Sequence, residues 1–133
     1  MNFLSLIISI KIGITALVIA LPLLCAPISR LGPIFGSDED ADPGIFRLYG
    51  IAITALLVGY GFGLEAALSN RFPWGPVVMG IISNIGAAGM LMATMRGRKP
   101  PLAAIISVIF FGGIGMALMI AAFDPAFALG ALF

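Results

Sequence analysis

The chain has 133 residues, 61% of them hydrophobic and 10% charged, and a net charge of +1; its mean hydropathy is +1.16. A soluble domain of this length needs far more charge to cover its surface, so the apolar excess is expected to face lipid. The near-neutral balance gives no reason to expect a nucleic-acid partner. With no histidine and the single cysteine Cys25, an intrachain disulfide and a Cys/His metal site are excluded.

About 20 mostly apolar residues carry a helix across the hydrocarbon core. Four stretches fit: 3–24, 45–68, 74–95 and 101–123. They use up most of the chain and leave no room for a soluble domain. The expected fold class is an all-α membrane protein, a four-transmembrane-helix bundle forming one integral membrane domain, with residues 25–44 as a cytoplasmic loop.

The N-terminal stretch lacks the early positive charge of a secretory signal. Leu23-Leu24-Cys25 lacks the small residue that lipoprotein processing needs before its cysteine. It is read as the first membrane helix. Lys11 lies roughly 12 Å along it, counted from Phe3 at about 1.5 Å per residue. Either Lys11 snorkels outward from a partly interfacial start, or it forms an ion pair inside the bundle. Lys11 and Thr15 share a face and make a short polar stripe. Ser9, Gly13, Ala16 and Ala20 form a small-residue stripe suited to meeting another helix. Pro22 and Pro27 weaken and end the helix.

Arg30 to Pro43 is the one long loop. Its LGPIFG start suits a short interfacial segment. Asp38, Glu39, Asp40 and Asp42 could attract a hard cation. The calcium-loop pattern fails at Pro43 and Tyr49, where glycine and glutamate are needed, so a solvated acidic loop and no metal site are expected. Asp42-Pro43 reads as an N-cap followed by proline at the first helical position.

In the second span Ala52, Ala55, Gly59, Gly63 and Ala66 recur at three- and four-residue steps. In lipid, helices associate through close backbone contact at small residues, so this face, with the Gly59/Gly63 GxxxG pair, is expected to be buried against another helix. Leu57, Leu64 and Leu68 lie off the stripe, and Tyr60 offers a hydroxyl at depth. Glu65 falls either just inside the apolar core or at the headgroups.

Ser69 to Pro73 reads as a tight outer turn, followed by the interfacial anchor Trp74 and by Pro76 in the first turn of the third span. Asn84, at mid-depth beside Ser83, needs a partner within the bundle. Arg96 to Pro101 is a cationic turn. In the fourth span Gly113, Ala117 and Ala121 form a second small stripe, with Phe110 and Phe111 able to fill the groove beside it. The seven methionines supply adaptable packing. Asp124-Pro125 stops the helix, and the tail AFALGALF is expected in the interface or on a neighbouring protein.

Four crossings put both termini on one side. The other side holds Arg30, Arg47, Arg96, Arg98 and Lys99, against Arg71 and Lys11 opposite. The positive-inside rule then places the termini outside, in the periplasm, and the cationic turns in the cytoplasm. Short turns and no eukaryotic targeting signal fit a bacterial inner membrane. In this orientation Lys11, Glu65 and Asn84 reach depths close enough to meet, and ionisable groups inside a membrane usually pair.

Arg47-Leu48-Tyr49-Gly50, the glycine-rich run Gly59–Gly63 and the four-crossing plan resemble small bacterial membrane proteins of the DoxX-like kind. Some members of that group are linked to redox complexes as membrane subunits. The resemblance implies a helper role and carries over no site residues.

Small-residue faces and an apolar tail suit a non-catalytic accessory or structural subunit that packs against the helices of other membrane proteins. The alternative is one protomer of an oligomeric transporter or channel, its path involving Lys11, Glu65, Asn84 and Tyr60; broken-helix pairs in matching halves, which mark many transporters, are missing. A membrane enzyme ranks third: there is no nucleophile motif, acid–base work would fall to Glu65 alone, and no catalytic residue or cofactor is expected. The expected partners are the lipid bilayer and other helices, from another protein or from further copies of this chain.

Overall fold

The computed structural model describes residues 1–27, 29–31, 43–96, 100 and 102–130. Five helices are named here: α1, Phe3–Cys25; α2, Pro43–Leu68; α3, Trp74–Thr94; α4, Leu102–Phe123; and the short α5, Pro125–Leu129. The first four are long and apolar enough to cross a membrane, and no strand occurs among the described residues. The chain divides into two compact units, Met1–Ser9 with Phe62–Phe133, and Ile10–Gly61. The acidic run Asp38 to Asp42 lies outside the described residues, as do Arg98, Lys99 and the last three residues of the tail.

In the first unit, Asn2 starts α1. The Ser5 N–H donates to Asn2 Oδ1 at 2.8 Å, and the Asn2 N–H donates to Ser5 Oγ at 3.1 Å. This is a capping box with serine in the usual Glu/Gln place. Asn2 Nδ2 also donates to the Ala67 carbonyl at 2.7 Å, so one buried amide holds the start of α1 on the end of α2. That end closes with the Arg71 N–H on Ala66 O, the Asn70 N–H on Ala67 O, and Asn70 at φ 55°. The pattern is a Schellman motif, and asparagine tolerates its left-handed position.

Helix α3 packs along α4. A side chain at Gly115 would bring its Cβ to 2.6 Å from Ile85 Cδ1, so the two helices come close at this point. A Cβ on Gly63 would lie 2.7 Å from Pro76 Cβ and 3.7 Å from Ile8 Cδ1, so α2 meets α1 and the first turn of α3 at this point. Asp124 caps α5 by accepting from the Phe127 N–H at 2.9 Å. In the tail, Ala128 is buried and the Phe127 ring lies 5.3 Å from that of Phe3.

In the second unit, α1 widens into a π-helical stretch at Thr15–Ala20, where the Leu21 N–H reaches five residues back to Ala16 O. Pro22 follows directly. It offers no N–H, and its ring crowds the carbonyl four residues earlier, at Val18; a wider turn relieves that crowding. The buried positions of α1 show the same insertion. They run Leu4, Ile8, Lys11, Thr15 at three- and four-residue steps, then jump five to Ala20 before Leu23. The helix passes through Pro22 and ends at Cys25. Ala26 is extended at ψ 147°, as a residue before proline must be. The carbonyls left at this end are met by Arg47, whose Nη1 donates to Leu23 O and Nη2 to Ala26 O, each at 2.8 Å. Leu23, Leu31 and Phe46 form a core beneath this cap, with Ile19, Ala26 and Ile53 against it.

The small-residue stripes lie differently from expectation. On α1, Ser9 and Gly13 are exposed, and on α2, Ala52 and Ala55 are exposed. The inward face of α2 runs through Phe46, Gly50, Tyr60, Gly63 and Ala67, mixing large side chains with small ones. On α4 a Cβ at Gly113 would meet open space; Ala117 is half-buried and Ala121 buried. The close approach on α4 falls at Gly115, where α3 crosses.

Candidate functional site

The polar residues at depth in the second unit are Lys11, Thr15 and Tyr60. Lys11 and Thr15 stand one turn apart on the buried face of α1, each 5% exposed. Residues four apart on a helix bring their Cβ atoms to roughly 6 Å. Tyr60, on the inward face of α2, is 1% exposed, and Lys11 Nζ lies 5.4 Å from the centre of its ring. This is within cation–π range, with the electron-rich face of the phenol supporting the ammonium. Lys11 is therefore covered by protein and does not extend outward along the helix surface.

Thr15 Oγ1 is buried and has no hydrogen-bond partner. Other helix hydroxyls in this chain bond back to a carbonyl of the preceding turn: Thr54 to Gly50 O at 2.8 Å, Ser107 to Ala103 O at 2.8 Å and Ser83 to Gly80 O at 3.3 Å. That is the ordinary outcome for such residues inside a helix. Thr15 stands at the opening of the π-helical stretch, and its hydroxyl is left over.

The expected cluster of Lys11, Glu65 and Asn84 draws on both units: Lys11 belongs to the second, Glu65 and Asn84 to the first. Asn84 is fully buried on α3 and its Nδ2 donates to Gly80 O at 2.6 Å. Glu65 is exposed on α2. Of the GxxxG pair, Gly63 is buried against Pro76, while Gly59 is half-buried. Among the described residues no three His, Cys, Asp or Glu side chains gather as a metal site would need. A cavity of about 360 Å³ opens at the end of the first unit, lined by Met1, Asn2, Leu68, Asn70 and Leu129.

Sequence reasoning missed three things. Asn2-x-x-Ser5 carries a cap signature that was open to reading. Arg47 was read as a topology charge and as part of the DoxX-like resemblance, and its role as a donor was missed, although a helix ending before Pro27 leaves carbonyls that need donors. The π-helical stretch and the leftover Thr15 hydroxyl had no signal beyond the proximity of Pro22. Comparison of the chain with protein-family models, with curated proteins and with solved structures finds no match.

Proposed function

We propose that this chain is a multi-pass membrane protein, a bundle of four transmembrane helices that serves as a non-catalytic accessory or structural subunit. The observation that carries the reading is the surface of its long helices. Leu17, Val18, Ile51, Phe62, Ile82, Met90 and Ile109 are all more than half exposed. Apolar surface on this scale needs lipid or other helices to cover it. The polar side chains support the same reading, because several serve the backbone of the chain itself: Asn2 holds Ala67, and Arg47 holds Leu23 and Ala26. Arg47 and Gly50, two of the residues behind the DoxX-like resemblance, thus have packing roles, with Gly50 tight against Leu24.

The excess of Arg and Lys on one side favours both termini outside, in the periplasm, and the short turns fit a bacterial inner membrane. Extraction in mild detergent followed by native mass spectrometry tests the subunit role. The expected result is a defined complex with other membrane proteins. Recovery of the chain alone as a monomer would overturn it. The buried trio of Lys11, Thr15 and Tyr60 favours the second reading, a protomer of an oligomeric transporter. A pure homo-oligomer that carries a solute or ion across liposomes would establish that instead.

A further inference from the structure

The cavity of about 360 Å³ at the end of the first unit lies where three candidate spans run out. Of its lining residues, Met1 and Asn2 precede the span that starts at Phe3, Leu68 closes the span Gly44–Leu68, and Leu129 lies beyond the span that ends at Phe123. In the proposed bilayer this level is the boundary between acyl chains and headgroups. Trp74 starts the next span here, exposed and with its ring centre 4.7 Å from that of Phe72; tryptophan collects at that boundary. The lining matches the place: Met1, Leu68 and Leu129 are apolar, while Asn70 is polar. The volume sits at the lower end of small-molecule sites, roughly 300–1,000 Å³.

Two polar groups at this end have no work inside the chain. Asn70 is held at φ 55° in the turn that closes α2, and its side-chain amide makes no bond among the described residues. The next residue, Arg71, is exposed. Its guanidinium pairs with neither Glu65 nor Asp124, the only carboxylates of the unit. Asn2 is spent on Ala67 and Asp124 on the Phe127 N–H. An amide that both donates and accepts suits hydroxyls, and a guanidinium suits phosphate. We propose that the cavity seats the headgroup of an anionic, hydroxyl-bearing phospholipid, with Asn70 on its hydroxyls, Arg71 on its phosphate and Leu68 and Leu129 beside its first acyl carbons. This rests on the membrane reading of the chain and not on the subunit role. Alkaline carbonate extraction tests the membrane reading by itself, since release of the chain into the supernatant would overturn it without any lipid titration.

The lipid site is tested on the full chain in a neutral detergent, titrated with short-chain phosphatidylglycerol and, separately, with phosphatidylcholine of the same chain length. Tm by circular dichroism is the readout. A ligand that binds the folded form raises Tm in a saturable way, and phosphatidylglycerol should do so at the lower concentration. Asn70→Gly removes the amide while glycine keeps the left-handed backbone; half-saturating phosphatidylglycerol should rise about two- to tenfold. Arg71→Gln should raise it about fivefold. Arg96→Gln, which removes an exposed cation beyond the far end of α3, should leave it unchanged. If Asn70→Gly does not fold, the contrast between Arg71→Gln and Arg96→Gln still decides. Equal responses to the two lipids, or wild-type responses from Asn70→Gly and Arg71→Gln, overturn the proposal. So does soluble glycerol phosphate acting at the same concentration as phosphatidylglycerol, which would give the site to a free phosphate ester.

Discussion

Changing Gly63 to alanine adds one methyl group where the structure has no room for it. The new Cβ would lie 2.7 Å from Pro76 Cβ. The lower edge of ordinary van der Waals contact is 3.4 Å, so α2 and the first turn of α3 must part by 3.4 − 2.7 = 0.7 Å. Neither side yields easily. The Pro76 carbon belongs to a closed ring, and Gly63 lies in the interior of α2 with its end held by Asn2. Overpacking of this kind costs about 1–3 kcal/mol, against about 1 kcal/mol gained from replacing glycine in a helix. The net expectation is a loss of about 0–2 kcal/mol. Gly113→Ala is the matched control, because its Cβ would meet open space; it should leave stability unchanged or raise it by up to about 1 kcal/mol. Gly115→Ala should fall between the two, since the atom in its way is the far end of the Ile85 side chain, which can turn aside. Thermal unfolding in detergent, followed by circular dichroism and by the fluorescence of Trp74, the one tryptophan, reads all three. If Gly63→Ala melts as high as Gly113→Ala, the close contact at Pro76 does not exist and the argument fails.

Arg47→Met should destabilise by about 1–2 kcal/mol, because it leaves the Leu23 and Ala26 carbonyls without their donors at a half-buried site; Arg47→Lys should recover part of this and the exposed Arg30→Met should cost little, all read by Tm. Asn2→Ala should cost about 1 kcal/mol for the lost cap, and more if the bond to Ala67 also counts; Asn2→Asp keeps the cap and loses that bond, so its Tm separates the two contributions. In a Cys25→Ser background, a cysteine introduced by Ser69→Cys should react with an impermeant reagent from the periplasm, and one introduced by Arg96→Cys only after permeabilisation; the reverse pattern would invert the proposed orientation.

The four long helices were legible because each is a run of apolar residues of spanning length, bounded by proline, charge or both. Pro43 opens α2, Asp124-Pro125 closes α4, and the ends of α3 lie next to Pro73 and Arg96. What the sequence did not reveal is which face of each helix is buried. In an amphipathic helix the polar face marks the outside. Here both faces of α2 and α4 are apolar, so that contrast is missing. Small-residue spacing was the substitute, and it proved partial: Gly63 sits in a contact, while Ala52, Ala55 and Gly113 lie on open surface. Spacing records where a close approach is possible; a facing bulge such as Pro76 or Ile85 decides where it happens. Lys11 was legible as unusual, but its phenol partner on α2 was not, because nothing in a linear sequence pairs position 11 with position 60. The π turn shifted the register of α1 by one residue after Thr15, which puts Ala20 and not Ile19 on the buried face.

In the proposed bilayer, apolar side chains gain little by leaving the lipid tails, so burial alone cannot choose how these helices meet. The choice has to come from contacts with a fixed geometry, and two kinds are present. One is the tight glycine: Gly63 against the closed ring of Pro76, and, against side chains that can adjust, Gly50 on Leu24 and Gly115 on Ile85. The other is a polar side chain bonded to carbonyls at a helix end: Asn2 on Ala67, and Arg47 on Leu23 and Ala26. Both are short-range, and sliding a helix by one residue, about 1.5 Å, breaks either kind. Within each unit, then, register is set by a few specific points, with the remaining apolar surface indifferent to alignment. That indifference leaves the exposed faces of α2, α3 and α4 free to accept lipid or another helix without disturbing the internal register, which is the physical requirement for a small membrane subunit.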